Sequence, residues 1–160
     1  MPERLTFTET VSSAKAMRAF ASSFAKRLAP PFVLTLEGPL GAGKTTFTQG
    51  FVDGLVRASD APVLVQSPTY ALMRTYATTP PVHHLDLYRL HETGGDAAVM
   101  DQLEALGILD ALTASDAGFA LVEWPGTARW PIAVGAVRIT PISARRRVVD
   151  VDLPAAVVRA

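Results

Sequence analysis

The chain has 160 residues, with 15 Lys plus Arg matched by 15 Asp plus Glu, three His, no Cys, 49% hydrophobic and 19% charged residues. A chain of this length buries roughly 70% of the surface it exposes when unfolded, so residues 1–160 can form one domain without staples; the lack of Cys excludes thiol catalysis, iron–sulfur clusters and Cys-ligated zinc. A formal charge of zero gives no general basic field for nucleic acid, no apolar run approaches the roughly 18 to 20 residues of a spanning helix, and the polar start MPERLTFTET does not read as a signal peptide, so a cytoplasmic location is the expectation.

Residues 4–8 alternate polar and apolar, with Leu5 and Phe7 on one face of a half-buried strand. Thr8, Thr10 or Ser12 can cap the helix that follows, along which Ala14, Met17, Phe20, Ala21, Phe24 and Leu28 recur at spacings of three and four until Pro30 and Pro31 stop it. Residues 32–37, FVLTLE, are almost continuously apolar, as in a strand covered on both faces. They run directly into GPLGAGK, after which residues 45–56 resume helical spacing with Phe47, Phe51 and Leu55 on one side.

Two extended stretches, 70–76 and 82–88, predict a hairpin or two neighbouring strands, punctuated by Pro62, Pro68, Pro80 and Pro81. A helix is expected over 97–106 through Val99, Met100, Leu103 and Leu106, ended by Gly107. Residues 119–122 form a short buried strand ending at Glu123, and 136–142 and 147–153 are two alternating closing strands. Strands and helices alternating in one unit predict an α/β fold, a three-layer sandwich with a mixed, mostly parallel sheet and antiparallel edge strands.

Residues 38–45, GPLGAGKT, match G-x-x-x-x-G-K-[ST], a pattern expected by chance in this length on the order of one time in two hundred. The strand before it and the helix after it follow from periodicity alone, so the segment is read as the P-loop of an NTPase domain. Gly38, Gly41 and Gly43 let the backbone curl, and the N–H groups from Gly41 through Ala42 and Gly43 to Thr46 can point at phosphate oxygens. Lys44 reaches the β and γ phosphates, the Thr45 hydroxyl is placed for Mg²⁺, and Thr46 for the α phosphate. A plain glycine-rich turn with an exposed lysine leaves the Lys-Thr pair unexplained.

A P-loop needs a carboxylate on a neighbouring strand to hold Mg²⁺. Glu123, at the C-terminal end of its strand, is the better metal acid by pattern; Asp86 lies in HHLDLYR, where alternation puts His84, Asp86 and Tyr88 on one face. For either carboxylate a site role is the favoured reading, and a surface or ion-pair residue the plain alternative. Ser67, Pro68, Thr69 and Tyr70 occupy the place of a γ-phosphate-sensing segment, where Thr69 can complete Mg²⁺ coordination, or they are an ordinary Ser-Pro turn. Trp124 alone reads best as a core residue, His83, His84 and His91 as strand and loop histidines, and Arg145, Arg146 and Arg147 as a solvated strand end or a site for base, phosphate or an acidic partner.

Taken in order, GPLGAGKTTFTQG, SPTY, HLDLYRL and LVEWP resemble the TsaE family over about residues 5–153. These are small bacterial ATPases required for threonylcarbamoyladenosine formation in tRNA. The resemblance implies that residues 41–46 bind ATP, that Thr45 and Glu123 hold Mg²⁺, that Thr69 belongs to a first switch-like segment and that Asp86 is the acid of the HxDxYR motif. It also implies that Trp124 lies close to the nucleotide and that Arg145 or Arg147 is the basic residue near the base. The implied partners are TsaB and TsaD, with tRNA reached through the complex, neither DNA nor membrane, and hydrolysis resetting the complex between rounds. The stretch GGDAA at 94–98 departs from the more acidic helix start expected of the family.

Three other readings compete. A small-molecule kinase shares the P-loop, but such kinases insert a helical acceptor segment where this chain reads as strands. A nucleotide-dependent assembly switch with incidental hydrolysis would bind ATP without turnover. Direct tRNA binding lacks a visible aromatic and basic face.

Overall fold

The apolar segment FVLTLE forms β2 (Phe32–Glu37), its first five residues buried, and the other elements are arranged around it. The computed structural model describes residues 2–57, 60–68, 72–114 and 117–160. Ahead of β2 lie β1 (Arg4–Val11) and α1 (Ala14–Lys26); after it come α2 (Lys44–Leu55), β3 (Met73–Tyr76), β4 (Val82–Asp86), α3 (Tyr88–Thr93), α4 (Asp96–Ala105) and α5 (Ile108–Thr113). The chain closes with β5 (Phe119–Glu123), β6 (Val134–Pro141) and β7 (Arg147–Pro154).

The seven strands form one sheet in the order β1-β7-β6-β2-β5-β4-β3. The four central strands are parallel, through β6 with β2, β2 with β5 and β5 with β4. At the margins β3 pairs antiparallel with β4, β7 with β6, and β1 with β7. The result is the mixed, mostly parallel sheet with antiparallel edges that the pattern predicts. Tyr76↔Val82 and Met73↔Leu85 set the register of the expected hairpin.

Alternation explains why β2 and β5 read as unbroken apolar runs. Phe32, Leu34, Leu36, Phe119 and Leu121 face the layer of α1 and α2, whereas Val33, Ala120 and Val122 face α4 and α5 through Val99, Leu103, Ile108 and Leu112. Phe32, Phe47, Phe51 and Phe119 are almost completely buried, each contributing about 1.5–3 kcal/mol of hydrophobic stabilisation. Helices α1 and α2 lie unusually close. A β-carbon at Gly50 would stand 2.4 Å from the Arg18 carbonyl oxygen, and one at Gly54 2.5 Å from that of Ser22. This contact fixes the helix that begins at the phosphate-type loop.

Several boundaries differ from the sequence reading. β1 runs to Val11, so Ser13 caps α1, its hydroxyl accepting from the Ala16 N–H at 3.0 Å in place of Thr8, Thr10 or Ser12. The strand through HHLD stops at Asp86 instead of Tyr88, because the Asp86 carboxylate accepts the Tyr88 N–H at 3.0 Å and turns the chain into α3. Tyr88 therefore opens a helix and does not continue the strand face. Leu106 follows α4 as an exposed residue, and Gly107, at φ 72, leads into α5, which periodicity over six residues does not reveal. Residues 70 and 71 of the predicted extended stretch lie outside the described residues.

Candidate functional site

Between β2 and α2 the chain passes through residues 38–43, with Gly41 at φ 78 and Gly43 at φ 111 in the region that favours glycine. Gly43 occupies the N-cap position of α2 and supplies no side-chain cap, so the first N–H groups of that helix are left to an external acceptor. Lys44 is buried. Its ammonium donates to the Gly38 carbonyl at 2.8 Å and lies 3.9 Å from the centroid of the Trp124 ring. Burial lowers its pKa from the ordinary lysine value, against the opposing pull of Glu123 and Asp86.

The two carboxylates come together through strand register, since Asp86 of β4 stands directly beside Glu123 of β5 at the C-terminal edge of the sheet. Both are almost fully buried. Two residues earlier on the same face of β4, His84 is completely buried and its Nε2 lies 2.7 Å from Glu123 Oε2. Its Nδ1 has no hydrogen-bond partner among the described residues.

Trp124 follows at φ 54, a backbone conformation rare for a bulky side chain. Its carbonyl accepts from His91 Nε2 at 2.8 Å, and its ring meets Tyr88 edge to face at 5.3 Å between centroids. Trp124 is thus drawn out of the core into a wall of the site, with one face over the ammonium. That is the reverse of the core position its isolation in the sequence favours.

A cavity of about 700 Å³ is lined by Gly41, Gly43, Lys44, Thr45, Thr46, Ser67, Asp86, Tyr88, Glu123 and Trp124. A second, of about 590 Å³, lies against Gly38, Lys44, Tyr88, His91 and Trp124. A third, of about 360 Å³, joins Gly41, Ala42, Gly43 and Thr46 to Arg145, Arg147 and the start of α1. Arg147 braces the loop, donating from Nε to the Ala42 carbonyl at 2.9 Å and from one terminal nitrogen to the Ser143 carbonyl at 2.9 Å. Thr69 lies outside the described residues, so only Ser67 and Pro68 of its segment are placed.

Sequence reasoning passed over several residues here. Gln49 of α2 binds the Val63 carbonyl at 2.9 Å and the Val65 N–H at 2.9 Å, and the Tyr76 hydroxyl holds both the N–H and the carbonyl of Gln66. Gln66 directly precedes Ser67. The HxD spacing that puts His84 and Asp86 on one face was the available signal for the His84 contact; no local pattern announces the Gln49 and Tyr76 contacts.

Chemically, the loop and helix start suit an anion, Lys44 supplies a cation beside it, and the Thr45 hydroxyl with Asp86 and Glu123 offers the hard oxygen donors of Mg²⁺. Among the described residues no three or more His, Asp or Glu cluster as a self-sufficient metal site. No helix among them is long and apolar enough to cross a membrane.

Residues 11–148 match the family model described as threonylcarbamoyl adenosine biosynthesis protein TsaE. The tRNA threonylcarbamoyladenosine biosynthesis protein TsaE of Bacillus subtilis is 37% identical over 111 residues, which cover 69% of this chain and 59% of that protein. Its counterpart in Streptomyces coelicolor is 38% identical over 68% of this chain and 66% of the relative, and that of Haemophilus influenzae 32% identical over 73% and 70%. The matched stretch thus spans about three fifths to seven tenths of these relatives. The crystal structure of Bacillus subtilis YdiB superposes with a TM-score of 0.67 at 27% identity, covering 98% of this chain and 89% of that one.

Proposed function

The chain belongs to the TsaE family, and from that premise we propose that it is a Mg²⁺-dependent ATP-binding and ATP-hydrolysing subunit in threonylcarbamoyladenosine modification of tRNA, at the adenosine beside the anticodon. The observation that carries the reading is convergence: the glycine loop with Lys44 and the register pair of Asp86 and Glu123 open on one cavity. The protein would act in the cytoplasm with TsaB- and TsaD-like proteins and meet tRNA through them.

In this reading the backbone from Gly41 to Thr46 binds the phosphates, and Lys44 leaves the Gly38 carbonyl to meet the β and γ oxygens. Thr45 and Glu123 hold Mg²⁺, which neutralises charge on the phosphates when bound. Asp86, beside Glu123 on the same cavity, would orient a water toward the γ phosphate. Thr69 belongs to the switch-like segment. Trp124 borders the phosphates, and Arg145 and Arg147 stand on the base side of the loop.

The kinase alternative is disfavoured because the segment after α2 leads into the β3–β4 hairpin and, among the described residues, holds no helix before it. The test is reconstitution of tRNA modification from TsaB- and TsaD-like proteins, ATP, tRNA and an activated threonylcarbamoyl donor, with and without this chain. Modified adenosine that depends on the chain and on an intact Lys44 is the expected outcome; modification unaffected by its omission refutes the proposal.

A further inference from the structure

We propose that His84 is the positioning residue of Glu123: it fixes one carboxylate oxygen and so aims the other at the cation. This rests on the reading of Glu123 as a Mg²⁺ residue. The inference starts from the H-x-D spacing. In a strand, residues two apart share a face, so β4 presents His84 and Asp86 together to β5. Register then sets Asp86 beside Glu123, and His84 one step behind it, away from the strand end.

The contact is 2.7 Å between His84 Nε2 and Glu123 Oε2, with the imidazole fully out of solvent and the carboxylate nearly so. A carboxylate accepts, so the hydrogen of this pair sits on Nε2. Nδ1 then remains as a buried nitrogen without a partner among the described residues. An apolar side chain of similar volume would fill the same space without stranding a polar atom, so packing alone does not explain an imidazole here. What the imidazole adds is directional. With one lone pair of Oε2 engaged by His84, rotation of the Glu123 carboxylate is restricted, and the residue lines one cavity with Thr45. Ligands of a metal are commonly held in this way by a second hydrogen-bonded group, whose loss typically weakens metal affinity ten- to a hundredfold.

The experiment uses the full chain and reads nucleotide binding by calorimetry as Mg²⁺ is titrated, with a parallel measurement in chelator. His84→Leu is expected to raise the Mg²⁺ concentration giving half the effect by about tenfold or more while leaving affinity in chelator unchanged. His84→Gln, whose amide N–H has a reach similar to Nε2, is expected to restore most of the wild-type response. A folded His84→Leu protein with an unchanged Mg²⁺ titration overturns the proposal, as does failure of His84→Gln to rescue.

A Glu123→Gln arm separates the two claims. If that variant keeps a normal Mg²⁺ dependence, the assignment of Glu123 itself is wrong; if it loses the dependence and His84→Leu does not, only the His84 proposal fails. Should His84→Leu not fold, the wild-type chain still decides. The His84 Nε2–H proton resonance, assigned with His83→Gln and His91→Gln, is expected to move on adding nucleotide with Mg²⁺ and not with nucleotide in chelator. An immobile resonance refutes the positioning role.

Discussion

The Lys44 ammonium rests between the Gly38 carbonyl, 2.8 Å away, and the face of Trp124, 3.9 Å from its centroid. Both contacts are favourable to a cation, yet burial still depresses its pKa, so the charge is incompletely compensated there. A phosphate arriving at the loop offers what the site lacks. Replacing Lys44 with Ala should therefore remove a charge-assisted contact of roughly 1.5–3 kcal/mol and weaken ATP binding about ten- to a hundredfold, measured by calorimetry. Unchanged affinity in a folded Lys44→Ala protein would falsify the P-loop assignment.

If the ammonium moves from Trp124 to phosphate, the indole loses a charge from its face. In a Trp130→Phe background, which leaves Trp124 as the one tryptophan, saturating ATP is expected to change the tryptophan emission intensity or its maximum. Trp124 is also held through its backbone by His91, so His91→Ala should reduce that change without abolishing ATP binding. A silent Trp124 at saturation removes it from the nucleotide's surroundings.

Glu123 and Asp86 are neighbours in register but differ in their local bonds. Glu123 is held by His84 from behind, whereas Asp86 spends one oxygen on the Tyr88 N–H that starts α3. Glu123→Ala should therefore act chiefly when Mg²⁺ is present, and Asp86→Ala should also loosen the strand-to-helix turn, lowering stability by about 1 kcal/mol. Mg²⁺ titration against bound nucleotide, together with urea unfolding of both variants, tests this. A normal Mg²⁺ response in Glu123→Ala counts against the assignment.

What could be read in advance follows the range of the interactions. FVLTLE, GPLGAGKT and the run up to Glu123 are local patterns set by burial on two faces and by loop geometry, and they predict β2, α2 and β5 closely. The six-residue helices α3 and α5 are shorter than two turns, too short for periodicity to show. They are made by a side chain 86-to-88 contact and by Gly107 at positive φ. The contacts of His84 with Glu123, and of Arg147 with Ala42, join residues 39 and 105 positions apart; the HxD spacing hints at the face His84 shares with Asp86, but no local spacing names either partner. The place of Trp124 in the site is implied by the resemblance carried by LVEWP but not by periodicity, because it rests on a backbone at φ 54.

Gly50 provides a test of the layer beneath the site. A methyl group there would stand 2.4 Å from the Arg18 carbonyl oxygen, forcing α1 away from α2. Overpacking typically costs about 1–3 kcal/mol, and the better helix propensity of Ala returns about 1 kcal/mol of that. Gly50→Ala should still show a lower denaturation midpoint. An equal or higher midpoint would mean that the two helices separate freely, and that the approach is incidental.

The last expectation concerns turnover. Hydrolysis at a P-loop depends on placing a water and neutralising charge on the transferred group, and an arginine given by a partner can add 10³ to 10⁵ in rate. Arg147 is poorly placed to act in cis, because its guanidinium is held by the Gly41, Ala42, Ser143 and Arg146 carbonyls. Gln66 has its backbone fixed by Tyr76, and the chain ahead of it is tied to α2 by Gln49, so residues 63–66 deliver Ser67 to the cavity on a braced support. What a partner would add is charge to neutralise the transition state. The isolated chain should accordingly hydrolyse ATP slowly, with stimulation of at least about tenfold when TsaB- and TsaD-like proteins bind. Gln49→Ala should diminish the stimulated rate more than ATP affinity. Steady-state phosphate release with and without partners already shown to bind decides the matter: fast turnover by the chain alone, unchanged by their addition, would make it a self-sufficient ATPase.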